Sequence, residues 1–150
     1  MSINEGSIIV PWAAANALLR NALGPDVKLP DDEYARAQLL TKEGAESLVY
    51  EALLKSEDFA TFIYGALSKD FPLCADFARA AEALVLMVAV RLGLAVRPYF
   101  FRLHYTKHDN TRHAINGVLL ADGSVRFLEP QGVKWMDWPK DSKRLDEVKL

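Results

Sequence analysis

The most constraining feature of this chain is a long stretch, from Leu73 to Leu92, that is apolar on nearly every side of a helix. Apolar residues form one stripe along this stretch, and further apolar residues lie outside the stripe. A helix that is apolar nearly all round is buried. Gly93 follows as a helix-ending residue. The pattern predicts a buried central helix whose main stripe is Cys74, Phe77, Ala78, Ala81, Leu84, Val85 and Val88.

The sequence before this helix has helical periodicity, and the sequence after it has the period of strands. The earlier residues predict short helices that wrap around the central one. They begin near Pro11, near Leu29, at Thr41 or Glu43, and at Ser56.

The later residues alternate in polarity and are rich in β-branched and aromatic types. The charged tail from Pro139 onward is expected to be a loop or a short terminal helix. The fold class is therefore α+β, a single domain over residues 1–150 in which the buried helix packs on a C-terminal antiparallel sheet. The predicted strands are Ala95–Tyr105, His113–Leu120, Ser124–Glu129 and Val133–Met136.

Composition and charge exclude several classes of function. The net charge is −2 and no basic stripe is present, so nucleic acid is not an expected partner. The longest apolar run, residues 83–90, is far shorter than the roughly 20 residues of a membrane span, so no membrane partner is expected. The N-terminus lacks the pattern of a standard secretory signal, and the single cysteine fits a reducing compartment. We expect a cytoplasmic protein.

Cys74 occupies the first turn of the predicted central helix, which is where a thiol nucleophile would lie. A helix N-terminus favours the thiolate, and its free N–H groups can stabilise an oxyanion. The alternative is that Cys74 is a small buried hydrophobe without reactivity.

The hairpin that follows determines whether a histidine and a carboxylate can meet. If the turn is Ala121–Gly123, with Gly123 in the left-handed conformation, His113 lies opposite Gln131. Glu129 then becomes a diagonal neighbour of His113 on the same face. A two-residue turn would put Glu129 on the other face, so the pair requires a turn of odd length.

Simpler interpretations of these residues remain open. His113 could be a polar residue of a half-buried strand, Glu129 a solvated strand end, and Gln131 the group that orients the histidine. His104 and His108 lie in a stretch typical of an exposed loop. One cysteine and three histidines show no recognised zinc spacing.

Three short motifs in order resemble the papain-like and transglutaminase-like superfamily. They are Cys74–Ala78 (CADFA), His113–Asn116 (HAIN) and Glu129–Gln131 (EPQ). The pattern is most similar to the protease-like C-terminal domain of a mushroom agglutinin and to related small phage and prophage proteins. The resemblance covers about Tyr34 to Gln131.

The resemblance implies a papain-like fold with a Cys–His–Glu catalytic triad. In that arrangement Cys74 is the nucleophile, His113 the general base and acid, and Glu129 the residue that orients the histidine. Gln131 and Asn116 are further candidates for orienting it.

The resemblance also implies calcium as a possible cofactor, with Asp76 as the candidate metal ligand. Leu73 and Ala75, however, stand where the family carries aspartate. The segment Gly65–Leu73 also contains no glutamine that could contribute to an oxyanion hole.

These residues are compatible with two main functions. The first is a cysteine hydrolase of the thiol protease class, which would cleave a peptide or amide bond of a peptide or protein substrate through an acyl-thioester. The alternative is a catalytically silent papain-like phage or prophage module with a structural or binding role. Trp135 and Trp138 would line its cleft or pack in the core. Acyl transfer to an amine is a third, weaker option.

Overall fold

The computed structural model describes residues 2–31, 33–55, 59, 63 and 73–150. Its helices are α1 (Trp12–Leu23), α2 (Lys42–Val49), which continues into a π-helical turn (Tyr50–Leu54), and α3 (Cys74–Arg91). Its strands are β1 (Ile8–Pro11), β2 (Arg36–Leu39), β3 (Phe100–Lys107), β4 (Arg112–Leu119), β5 (Val125–Glu129), β6 (Lys134–Met136) and β7 (Ser142–Lys149). The predicted α+β class is confirmed.

Helix α3 is the predicted central helix, and it spans nearly the predicted residues. Gly93 follows it with φ +94°, a left-handed conformation that a glycine adopts without steric cost. Its inner face is buried, with Phe77 and Val85 fully enclosed. The expectation of burial all round is wrong for the outer face, where Met87 is 67% and Val90 is 74% exposed. Apolar sequence alone does not reveal whether another element covers a helix face.

The five-stranded sheet is antiparallel, in the order β6-β5-β4-β3-β7. The tail expected to be a loop or a helix is instead β7, an edge strand paired with β3. Its charged residues suit the solvated edge of a sheet, while Val148 is buried. The charged residues of this segment did not predict a strand, because the strand forms only by pairing with β3, which is far away in the sequence.

The N-terminal half differs most from the prediction. No helix begins near Leu29 in the described residues. The segment that follows instead contains β2, which pairs with β1 so that Ile8 lies opposite Leu39. Thr41 caps α2 as predicted, since its Oγ1 accepts a 3.0 Å hydrogen bond from the Gly44 N–H. The helix expected from Ser56 lies mostly outside the described residues; Phe59 and Ile63 within it are helical and buried.

The sheet separates two cores. One face packs against α3, with Phe100, Val118 and Leu128 on the sheet side. The other face packs against α1 through Phe101, Ile115 and Phe127. Within the described ranges, no helix combines the length and the hydrophobicity that crossing a bilayer requires. Because β4 and β5 are antiparallel, the start of β4 lies at the same edge as the end of β5, and the middle of β4 contacts the first turns of α3.

Candidate functional site

The hairpin β4–β5 has the register that the odd-length turn predicts. Gly117 lies opposite Phe127, and the Leu120 N–H donates a 2.9 Å hydrogen bond to the Ser124 carbonyl. Gly123 adopts φ +84°, the left-handed conformation that the turn requires. Glu129 is therefore on the same face of the sheet as His113.

His113 and Glu129 are in direct contact. The Nε2 atom of His113 lies 2.7 Å from Oε1 of Glu129, and the two side chains are 14% and 24% exposed. A carboxylate only accepts, so Nε2 carries the proton and donates it, and the Nδ1 atom of a neutral ring keeps its lone pair. The second carboxylate oxygen, Oε2, is buried and has no donor among the described residues.

Cys74 is the first residue of α3 and is a half-buried free thiol. Leu73 precedes it as the N-cap, and its N–H donates a 2.9 Å hydrogen bond to Oδ2 of Asp76. The Leu73 carbonyl accepts from the N–H groups of Asp76 and Phe77. The N–H groups of Cys74 and Ala75, at the first two helical positions, have no acceptor within the helix and can bind a carbonyl oxygen or an anion.

Tyr105 lies beside the histidine pair and has a perturbed hydroxyl. Burial raises the pKa of the Tyr105 hydroxyl, and its hydrogen bond to Asp141 raises that pKa further. The negative charges of Asp141 and Glu129 act in the same direction. Among the described residues, no hydrogen bond joins the Cys74 thiol to the ring of His113, whose Nε2 contacts Glu129.

Asn116 holds the start of α3 against the sheet. It is fully buried, and its Nδ2 donates to the carbonyls of Ala78 at 2.9 Å and of Phe101 at 3.3 Å. The amide nitrogen of Asn116 therefore holds the helix, and it does not orient the ring of His113. Gln131, the other candidate for orienting the histidine, is exposed in the turn after β5.

The described residues around Cys74 do not fit a calcium site. Asp76 uses Oδ2 to cap the helix backbone, and Leu73 and Ala75 have no oxygen in their side chains. The described part of the chain contains no group of three or more His, Cys, Asp or Glu residues that could hold a metal ion.

Sequence reasoning missed Tyr105 and misplaced His104. Tyr105 lies directly opposite His113 on β3, so pairing of the two strands would have been the signal. His104 also belongs to β3 rather than to an exposed loop, and burial lowers its pKa. His108 does lie in the exposed turn that follows.

The two tryptophans are in different environments. Trp135 is partly buried against the α3 core, and the guanidinium of Arg126 lies 4.9 Å from the centre of its ring. Trp138 is 41% exposed and meets Phe127 edge-on. Core packing therefore accounts for Trp135, whereas Trp138 presents an aromatic surface to solvent.

No protein-family model and no curated protein sequence matches this chain. Solved structures do match. One, described as a "PSL1a-E64 complex", has a TM-score of 0.65 and 20% identity, over 93% of this chain and 50% of the other. Another is Polyporus squamosus lectin bound to the epitope Neu5Aca2-6Galb1-4GlcNAc, with a TM-score of 0.61 and 19% identity, over 92% of this chain and 49% of the other. The chain spans about half the length of these chains, and the likeness concerns the fold.

These matches correct one expectation. They agree loosely with the predicted similarity to a mushroom agglutinin. They are lectins rather than proteases, so the classification of this chain as a hydrolase and thiol protease is wrong.

Proposed function

We propose that this domain is a binding module, on a papain-like scaffold, that holds an amide-bearing partner at the start of α3 without turning it over. The observation that carries the proposal is the ring of His113, held by Glu129 at 2.7 Å, on the strand that Asn116 joins to the first turns of α3, the helix that Cys74 begins. The residues 1–150 form the single domain that presents this site.

An amide group complements the polar atoms of the site. Its carbonyl oxygen can accept from the N–H groups of Cys74 and Ala75, which have no acceptor within the helix. Its N–H can donate to Nδ1 of His113, which keeps its lone pair because Nε2 donates to Glu129. Donors and an acceptor in this arrangement recognise a secondary amide better than a hydroxyl or an ester.

The absence of turnover is supported by the sequence around the nucleophile position. No glutamine occurs in Gly65–Leu73, and the acidic positions of the related motif are occupied by Leu73 and Ala75. The match to lectins, which are binding proteins, agrees with this function.

Two kinds of partner carry a secondary amide. One is a peptide or protein. The other is an N-acetylated sugar, such as the Neu5Ac and GlcNAc units in the epitope named for the Polyporus squamosus lectin. The sugar binding belongs to that whole lectin, and this chain matches only about half of it.

A second candidate function is acyl transfer through a thioester at Cys74. The 2.7 Å His113–Glu129 pair favours it. In this reaction the thiolate attacks the carbonyl carbon of an amide, and the imidazolium protonates the leaving amine. A second amine then attacks the thioester, takes the acyl group and restores the thiol.

Ligand titrations and a search for products separate the two candidates. The backbone N–H signals of Cys74 and Ala75 are followed by NMR during addition of an N-acetyl peptide amide or of GlcNAc. Saturable shifts without product after long incubation are expected, and the ligand that causes them identifies the partner class. If the wild type forms a product and the Cys74→Ala variant does not, the second candidate function replaces the binding proposal. Absence of shifts with both ligands would contradict the binding proposal.

Thiol reactivity tests the second candidate directly. The rate of Cys74 alkylation by iodoacetamide is measured from about pH 5 to about pH 9, in the wild type and in His113→Ala. An activated thiol reacts on the acid side of this range and loses that reactivity without the imidazole. A profile that rises only near pH 8.5 or above, about where ordinary thiols ionise, and that is unchanged in His113→Ala would exclude thioester chemistry.

A further inference from the structure

Tyr105 lies directly opposite His113 in the antiparallel pair β3–β4. The two rings meet edge to face, with centroids 5.6 Å apart and an interplanar angle of 88°. Tyr105 is only 2% exposed, so its ring occupies a defined place in the core on this side of the sheet.

The hydroxyl of Tyr105 is anchored at its far end. It donates a 3.0 Å hydrogen bond to Oδ1 of Asp141, in the turn that precedes β7. The Asp141 carboxylate is itself held by Lys107 at 3.5 Å, and its backbone carbonyl accepts from the N–H of His108. Burial and the neighbouring negative charges raise the pKa of Tyr105, so the hydroxyl remains a donor.

We infer that Tyr105 is a positioning residue for His113: its anchored ring keeps the imidazole turned so that Nε2 remains on Glu129. The inference deepens the proposed function, since the ligand-binding role of Nδ1 rests on this ring orientation. A histidine held at one nitrogen by a single 2.7 Å contact can still rotate about its side-chain bonds. The ring of Tyr105, which meets the imidazole edge to face, opposes such a rotation of His113.

Asp141 is then the remote end of the arrangement. It contacts neither His113 nor Glu129 through any described hydrogen bond or ion pair, and it acts on them only by fixing the Tyr105 ring. The arrangement therefore links the turn before β7 with β3, β4 and β5 across the sheet.

The Nε2 proton of His113 reports this orientation directly. Its NMR signal is assigned in the full-length protein through its loss in His113→Ala, and its exchange with water is measured. In the wild type, the bond to Glu129 should slow this exchange. In Tyr105→Leu, which removes the aromatic contact, the exchange should be about tenfold faster. Tyr105→Phe keeps the ring but loses the anchor, and a smaller increase is expected.

Two further variants separate positioning from general stability. Tyr99→Phe removes another buried tyrosine hydroxyl, one that donates to Asn16 at 2.5 Å, and should leave the exchange of the His113 proton unchanged. Asp141→Ala removes the acceptor of the Tyr105 hydroxyl at an exposed position, and it tests the anchor even where Tyr105→Leu does not fold. A small increase is expected there too, with backbone amide exchange in β3 and β4 unchanged.

Equal exchange rates in the wild type, Tyr105→Phe and Asp141→Ala would overturn the inference, as would an equal rate in a folded Tyr105→Leu. The measurement uses no ligand and no thiol reagent. Failure of amide binding would therefore leave the Tyr105 result standing, and failure of the Tyr105 result would leave the ligand titration intact.

Discussion

Nδ2 of Asn116 donates a 2.9 Å hydrogen bond to the carbonyl of Ala78 and so joins the middle of β4 to the first turns of α3. The same strand carries His113, and the same helix begins with Cys74. One buried amide thereby connects the element that presents the thiol with the element that presents the imidazole.

Asn116→Ala should lower the free energy of unfolding by about 1–3 kcal/mol. The substitution removes both hydrogen bonds of a fully buried amide and leaves a small cavity. Urea unfolding followed by circular dichroism measures the change. Asn21→Ala, on the exposed side of α1, is the matched control and should shift stability by less than about 0.5 kcal/mol. Equal effects of the two changes would show that the amide bonds do not stabilise the fold.

Gly123→Val should destabilise the protein by about 1–2 kcal/mol, because a β-branched residue is strained at φ +84°. Space is not the obstacle, since an added Cβ would meet only Leu18 Cδ2 at 3.5 Å. Gly123→Asn should cost less, because asparagine tolerates the left-handed conformation. Thermal unfolding compares the two variants, and a valine variant as stable as the asparagine variant would contradict this account of the turn.

Glu129→Gln should weaken binding of the amide ligand about tenfold. A charge-assisted hydrogen bond to His113 becomes a neutral one, and the glutamine can also turn its NH₂ group toward the ring. With the NH₂ group donating to Nε2, the neutral ring carries its proton on Nδ1, which then has no lone pair for the ligand. Isothermal calorimetry measures the affinity, with the exposed Glu33→Gln as the control. An unchanged affinity in Glu129→Gln would remove the carboxylate from the proposed site.

His104 should make the protein less stable as the pH falls below about 6.5. Burial lowers the pKa of His104, and the cations Lys149, Arg112 and Arg102 lower it further, against the opposing charge of Glu147. The unfolded chain therefore takes up a proton before the folded protein does, so this contribution is complete above the ordinary histidine pKa of 6.5 and is lost with acid.

Chemical unfolding at several pH values tests that dependence. The loss of stability from about pH 7.5 to about pH 5 should be smaller in His104→Gln than in the wild type. Lys149→Gln, which removes one of the cations, should also reduce the loss. A wild-type profile that coincides with that of His104→Gln would contradict the prediction.

Much of the candidate site could be predicted because its determinants are local. The apolar stripe placed Cys74 at a helix start, and α3 does begin there. With a three-residue turn at Ala121–Gly123, the parity of a strand puts Glu129 on the face of His113. Gly123 does adopt φ +84°, and the two side chains meet at 2.7 Å. The catalytic roles of these residues stay predictions.

The rest of the site depends on contacts between residues far apart in the chain. Tyr105 reaches Asp141 across 36 positions, and Asn116 reaches Ala78 across 38. No periodicity encodes such pairs, because each partner looks like an ordinary strand or turn residue until the two elements pack together.

The sequence by itself determined the elements whose signal lies in their own residues: the buried side of α3 and the alternation of the strands. Only the tertiary structure decided that residues 36–39 and 142–149 are strands and that the outer face of α3 remains exposed. The physical reason is that a strand satisfies its backbone hydrogen bonds through a neighbour, and a helix face is buried only where another element covers it.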